Sequence, residues 1–236
     1  MPDLAPALPT TELEDSFVRV VDPEGKLIAA LEDLGPLSGR DVILLDAGRG
    51  IRARDFAGAG ARVTAVTFAD PHDVSDAIER LARIPESAAD TVVALWSELA
   101  TPGSEFIAAA EKLLRPGGRL LLVHDYGRDD VWSLQPHIHD RVLEWSQRRG
   151  PFLGAGFRLR VIHCWWTFDS VDHARILLHR GFGDAGAVVA ERMRRPRLEY
   201  QVAVYHRTTA PPEPAYERSG SEDESQEEPP AELSFG

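Results

Sequence analysis

The feature that most constrains the fold is a regular alternation of short apolar runs with helical stretches between residues 41 and 124. Asp41-Val-Ile-Leu-Leu-Asp46 is a continuous apolar run, the pattern of a strand buried on both faces of a parallel sheet. Further strands are expected at Arg62–Phe68, Thr91–Trp96 and Arg119–His124. The stretches Arg52–Ala59, Asp73–Arg83 and Ser104–Leu114 carry helical periodicity between them. Strand–helix alternation of this kind implies right-handed crossovers and a doubly wound, mostly parallel α/β sheet. Ligands in such sheets lie beyond the carboxyl ends of the strands. That rule brings Asp46–Arg52, Thr67–Asp70, Trp96–Glu98 and His124–Asp130 around one crevice.

The second half of the chain continues the pattern with a helix at His139–Arg149 and a long strand at Phe157–Phe168. Helices are expected at Ser170–Arg180, with Ser170 as N-cap, and at Asp184–Met193, then a last strand at Leu198–Tyr205. Residues 1–36 are expected to be a loose N-terminal segment with a short helix at Glu24–Asp33, and residues 37–208 the α/β domain. Residues 209–236 have almost no apolar content and are expected to form a disordered acidic tail. The net charge of -12 is concentrated there: eight acids and one arginine after Ala210 give -7. The remaining -5 is ordinary for a soluble domain and shows no net basic character that a nucleic-acid binder would carry. No run approaches the ~20 apolar residues needed to span a bilayer. A single cysteine, Cys164, and the absence of a signal-peptide pattern favour the cytoplasm.

Leu45-Asp-Ala-Gly-Arg-Gly50 resembles the Asp-x-Gly-x-Gly turn that follows the first strand of the class I S-adenosylmethionine (SAM) methyltransferases, and three further segments point the same way. Ala89-Asp90 leads into a strand like the family's fourth. Leu113-Leu-Arg-Pro-Gly-Gly-Arg-Leu-Leu-Leu122 is similar to its turn into strand five. Gly154-Ala-Gly-Phe157 enters a strand like its sixth, and a late strand returns near the C-terminus. The resemblance implies a methyltransferase-like Rossmann fold, with SAM as cofactor against Asp46, Gly48 and Gly50. It implies Thr67 and Asp70 near the ribose, and a small-molecule substrate approaching Trp96 and Arg128. Three positions depart from the family pattern. Arg52 stands where a small residue is usual, and Thr67 stands where an acid usually bridges the ribose hydroxyls. Between Phe68 and Thr91 there is room for one helix only, so the usual third strand is expected to be missing.

Chemistry at the crevice has several candidates. His124 could serve as general base, since imidazole titrates near neutrality, with Glu98 as a proton acceptor and Tyr126 and Arg128 orienting substrate. The alternative is a polar loop in which Asp129 or Asp130 caps the next segment. Trp96 could stack on a flat substrate or cover the sheet edge. His137 and His139 are two apart but enter a helix, a poor metal geometry, and no metal is expected. Alternation sends His163 and Cys164, and likewise Trp165 and Trp166, to opposite faces. The basic cluster Arg192, Arg194, Arg195 and Arg197 is either a solvated helix end or a dock for the acidic tail. A protein partner through that tail or that cluster is a further expectation.

Three functions are compatible with these residues. One is a SAM-dependent methyltransferase-like protein acting on a small molecule. Another is a non-catalytic member of the fold serving as scaffold or binding protein. The third is an anionic-nucleotide binder using Arg49 and Arg52 at a helix N-terminus.

Overall fold

A computed structural model describes residues 11–45, 51–68, 70, 72–134 and 139–210. Six strands form one sheet: β1 (Asp41–Leu45), β2 (Arg62–Val66), β3 (Ala89–Leu95), β4 (Leu114–Asp125), β5 (Arg158–Thr167) and β6 (Arg197–Thr208). Their spatial order is β2-β1-β3-β4-β6-β5. β1, β2, β3 and β4 run parallel, while β6 is antiparallel to both β4 and β5. This is the doubly wound, mostly parallel α/β architecture that the alternation implied.

The helices are α1 (Thr11–Val20), α2 (Lys26–Asp33), α3 (Ile51–Gly58), α4 (Val74–Leu81), α5 (Glu105–Lys112), α6 (His139–Trp145), α7 (Pro151–Gly154) and α8 (Val171–Arg192). From β1 the chain steps outward to β2, then returns inward to β3. With right-handed crossovers, that reversal must put α3 and α4 on opposite faces of the sheet. Phe56 of α3 packs with Val42, Leu44, Val93 and Val123 on one face. Ala77 and Leu81 of α4 pack with Ile43, Leu45, Val92 and Phe106 on the other. The reversal lies between β1 and β3, so the crevice beyond their carboxyl ends is the topological switch point.

Because α4 leads directly from β2 to β3, no strand lies beyond β2 among the described residues. The shortened sheet is as the 22-residue spacing between Phe68 and Thr91 required. β2 is consequently an edge strand with Arg62, Thr64 and Ala65 exposed.

The boundary expected at residue 36 does not separate two packing units. Leu13, Phe17, Val20, Val21, Leu27 and Leu31 are buried in the same core as β1, β3 and β4. Phe17 meets Trp166 and Phe182 edge-on, each at 5.5 Å between ring centres. Leu13, Phe17 and Val20 recur at helical spacing, so α1 gives one face to the sheet; burial of each large apolar side chain contributes about 1.5–3 kcal/mol. The Asp22-Pro23 break is real: Asp22 has φ 51, and its carboxylate accepts from Lys26 N (3.0 Å) and Leu27 N (2.7 Å) to cap α2.

The two helices expected between Ser170 and Met193 are present within α8: they meet at Gly183, whose φ 56 and ψ -132 are non-helical and open mainly to glycine. Ser170 caps its start by accepting from His173 N. The acidic tail beyond Ala210, expected to be disordered, lies outside the described residues, as do the first ten. None of the described helices is long and apolar enough to cross a membrane.

Candidate functional site

The switch point places the candidate site beyond the carboxyl ends of β1 and β3, flanked by those of β2 and β4. Asp46, Gly48 and Gly50, the turn after β1, lie outside the described residues. The other strand ends are described.

After β3 the backbone turns abruptly. Trp96 has φ 49, the left-handed region that bulky residues rarely occupy. Its N–H still donates to Val123 O at 2.8 Å, so the strand pairing persists to the point of reversal. Strand alternation would put Leu95 and Trp96 on opposite faces. The left-handed turn instead sends both into the core shared with α1, α2 and α3. Trp96 is 5% exposed and Ser97 fully buried, yet the indole Nε1 and the Ser97 Oγ have no hydrogen-bond partner among the described residues. Buried polar groups without partners are uncommon, and each costs on the order of 1–3 kcal/mol. Strain and unsatisfied polarity therefore coincide at the carboxyl edge of a central strand beside the switch point. The sequence pattern pointed to Trp96 but missed Ser97 as a separate feature; only its position after an apolar run hinted at it.

Arg52, on α3, is mostly buried and engaged by the protein. Its Nη2 donates to Val21 O at 2.8 Å, its Nη1 lies 3.3 Å from Asp55, and its guanidinium carbon stands 6.0 Å from the Trp96 ring centre. Two acceptors and an aromatic face thus hold this cation. That explains how an arginine is accommodated near a positive helix end, and it leaves Arg52 poorly available for phosphate.

The rim beyond β2 is tied to the rim beyond β3. Asp70 accepts from His72 N at 2.8 Å, and the His72 ring Nδ1 lies 3.1 Å from Glu98 Oε2. Asp70 and Glu98 are thus joined through His72, a residue that no sequence motif singled out. Thr67 is exposed immediately after β2, and its carbonyl accepts from Arg80 at 3.4 Å.

Beyond β4, the expectation of a basic histidine at the rim meets a different arrangement. His124 is fully buried. Its ring lies between Trp145 (4.8 Å), Phe152 (5.6 Å) and Tyr205 (6.2 Å), and Nε2 is 3.1 Å from Ala100 O. A carbonyl can only accept, so Nε2 carries the proton and donates. Strand alternation is the cause: His124 points to the face of Leu120 and Leu122, away from Trp96. In this position it is a core residue, so the structure corrects its expected role as general base at the crevice. Asp125, on the opposite face, is buried and accepts a hydrogen bond from the Tyr200 hydroxyl.

The loop after β4 is held by its acids, in keeping with the capping alternative. Asp129 accepts from Trp132 N (2.9 Å) and Gln201 N (2.7 Å), and Asp130 accepts from Glu199 N (2.9 Å). Burial pushes the Asp129 carboxyl up to about 6 despite these two donors. Arg128, with φ 64, is exposed and folds over Tyr126, its guanidinium carbon 5.4 Å from the ring centre. Tyr126 and Arg128 are therefore brought together beyond β4.

Away from the crevice, Trp166 is core while Trp165 is covered by the Arg197 guanidinium at 4.3 Å. Cys164 is buried and His163 exposed. His137 lies outside the described residues.

No protein-family model matches the chain, and no curated protein matches it. Similar solved structures include a SAM dependent methyltransferase of Archaeoglobus fulgidus, 15% identical, covering 77% of this chain and 94% of that one at a TM-score of 0.37. Another is phosphoethanolamine N-methyltransferase 2 of Haemonchus contortus, 14% identical, covering 80% and 52% at 0.45. A third is a geranyl diphosphate methyltransferase, 14% identical, covering 78% and 77% at 0.42. Likeness at this level adds nothing to the strand order and motifs of the chain itself.

Proposed function

We propose that the chain is a SAM-dependent methyltransferase-like protein acting on a small molecule, with its ligand site beyond β1 and β3. The observation that carries this reading is the pair of buried side-chain polar atoms, Trp96 Nε1 and Ser97 Oγ, that lack partners among the described residues at the switch point. A ligand rich in acceptors, as an adenosyl amino acid is, would satisfy the indole N–H and the hydroxyl together. The β2 side fits less closely. Thr67 offers one hydroxyl where a carboxylate would offer two acceptor oxygens, and Asp70 is already engaged with His72. When bound, SAM supplies an electrophilic methyl group.

The chain's own contribution is positioning. Trp96 and Ser97 hold the ligand, Tyr126 and Arg128 orient an anionic or polar substrate from the rim, and Glu98 accepts a proton there. Alignment of nucleophile and methyl carbon accounts for most of the rate in such a site. His124 takes no part.

One observation favours a second reading, a non-catalytic scaffold. Arg52 fills space against the Trp96 ring and ties α3 to the N-terminal segment, a use that serves the fold rather than a ligand. Thermal melting of the full chain with SAM, its demethylated product, ATP and NADP separates the two. Saturation at 100 times the dissociation constant adds about 2.7 kcal/mol. Stabilisation by the first two ligands alone supports the methyltransferase reading. Absence of any shift overturns it in favour of the scaffold.

A further inference from the structure

The end of the sheet opposite the crevice carries a concentration of positive charge that the proposed function does not use. On the face covered by α2, the neighbouring ends of β4, β5 and β6 present Arg119, Arg158, Arg160 and His206. Arg158 stands directly across from His206 in the β5–β6 ladder, and Leu121 stands across from His206 in the β4–β6 ladder. Arg158 is exposed and has no acidic partner among the described residues. Arg119 donates through Nη2 to Pro36 O (2.8 Å) and Thr91 Oγ1 (3.1 Å), while its buried Nη1 has no partner among the described residues.

Three acids flank this patch and offset part of its charge. Asp33 lies 3.2 Å from Arg160, and Glu32 accepts from Leu37 N at 2.6 Å. Asp90 binds Arg115 at 3.1 Å and the Asp41 N–H at 2.9 Å. Burial, together with Arg158, Arg119 and Arg160, holds the His206 imidazole below its ordinary range, so the charge of the patch rests on its three arginines.

The described chain ends beside this patch. Thr209 N donates to Gly118 O (2.8 Å), and Gly117 N donates to Ala210 O (3.0 Å), in the turn that leads into Arg119. Twelve residues later comes the densest acidic run of the sequence, Glu222-Asp-Glu-Ser-Gln-Glu-Glu228, with five carboxylates in seven residues. We infer that this acidic run docks on the Arg119–Arg158–Arg160–His206 patch at the base of the sheet.

A dock on Arg192–Arg197, the expectation from charge alone, is opposed by geometry. That cluster precedes β6, whose twelve residues carry the chain about 40 Å to its other end. A fully extended linker from Ala210 reaches at most ~40 Å to Glu222 and ~60 Å to Glu228. The far cluster is therefore met only by a largely extended linker, while the near patch adjoins the exit point. Since closure of a shorter separation is entropically cheaper, the near patch has the larger effective concentration of carboxylates.

A nitroxide at Ser225→Cys in the full chain tests this, because Cys164 is buried and does not compete for the label. The expected result is loss of the backbone amide signals of Arg158, Arg160 and His206. Those signals should return in about 1 M salt, where the Debye length falls to ~3 Å. They should also return in the labelled Arg158→Glu variant, which reverses an exposed surface charge and leaves the core untouched. Signal loss at Arg192–Arg197 instead, or at no described residue, overturns the inference. So does signal loss at the patch that neither salt nor Arg158→Glu reverses.

Discussion

The Arg52 guanidinium donates to the carbonyl oxygen of Val21 at 2.8 Å, linking α3 to the segment between α1 and α2. Val21 in turn bridges to Trp166 of β5, so one side chain connects the crevice wall to the far side of the sheet. Arg52→Ala removes a charged hydrogen bond in a largely buried setting and is expected to cost about 1.5–3 kcal/mol. Denaturant unfolding gives the value. Hydrogen exchange should show faster opening of residues 13–22 than in the unaltered chain; equal exchange would show that the contact does not restrain that segment.

Ser97→Ala distinguishes a site held open for a ligand from a structural hydroxyl. The buried Oγ has no partner among the described residues, so its removal should leave the melting temperature unchanged or raise it. At the same time the SAM-induced shift should fall. A variant destabilised by more than about 1 kcal/mol would mean that the hydroxyl supports the fold.

Gly127 (φ 75) adjoins the Trp132 ring, where an added Cβ would lie 1.7 Å from a ring atom. Gly127→Ala must displace the indole and also occupy left-handed backbone. The two effects together are expected to cost about 2–4 kcal/mol. Trp132 fluorescence should shift along with the melting temperature.

The carboxyl of Asp129 gives a pH signature. Burial raises it to about 6, above its ordinary 3.8, so the folded state binds this proton more tightly than the unfolded state. Its contribution to stability is therefore fully present below about 3.8 and is lost as pH rises through 6. Asp129→Asn removes this slope, although the amide nitrogen cannot accept the second of the two backbone N–H groups. Stability measured from pH 4 to 7 should fall less steeply with pH in the variant than in the unaltered chain. Parallel profiles would contradict the assignment.

Cys164 is fully buried, and burial together with the neighbouring Asp22 carboxylate pushes its thiol up to about 12. A chromogenic disulfide reagent at pH 8 should give no reaction with the folded chain and one equivalent in denaturant. Rapid reaction of the folded chain would show that the α1–β5 contact opens readily.

The sequence alone determined the sheet and its shortening, because apolar runs of strand length alternate with helical periods and the interval from Phe68 to Thr91 holds a single helix. It also fixed which strand ends lie together, since the carboxyl ends of parallel strands follow from chain direction, and so brought Trp96, Tyr126 and Arg128 to one end of the sheet. What it could not give was the facing of individual side chains at strand ends. Alternation predicts facing only while backbone angles stay extended, and Trp96 leaves them at φ 49. His124 keeps them and so points into the Trp145–Phe152–Tyr205 cluster. Likewise the joining of Asp70 to Glu98 through His72, and of Arg52 to Val21, depends on segments 26 and 31 residues apart in the chain. Contacts at such separations are set by how packed elements meet in space, which local residue patterns do not encode.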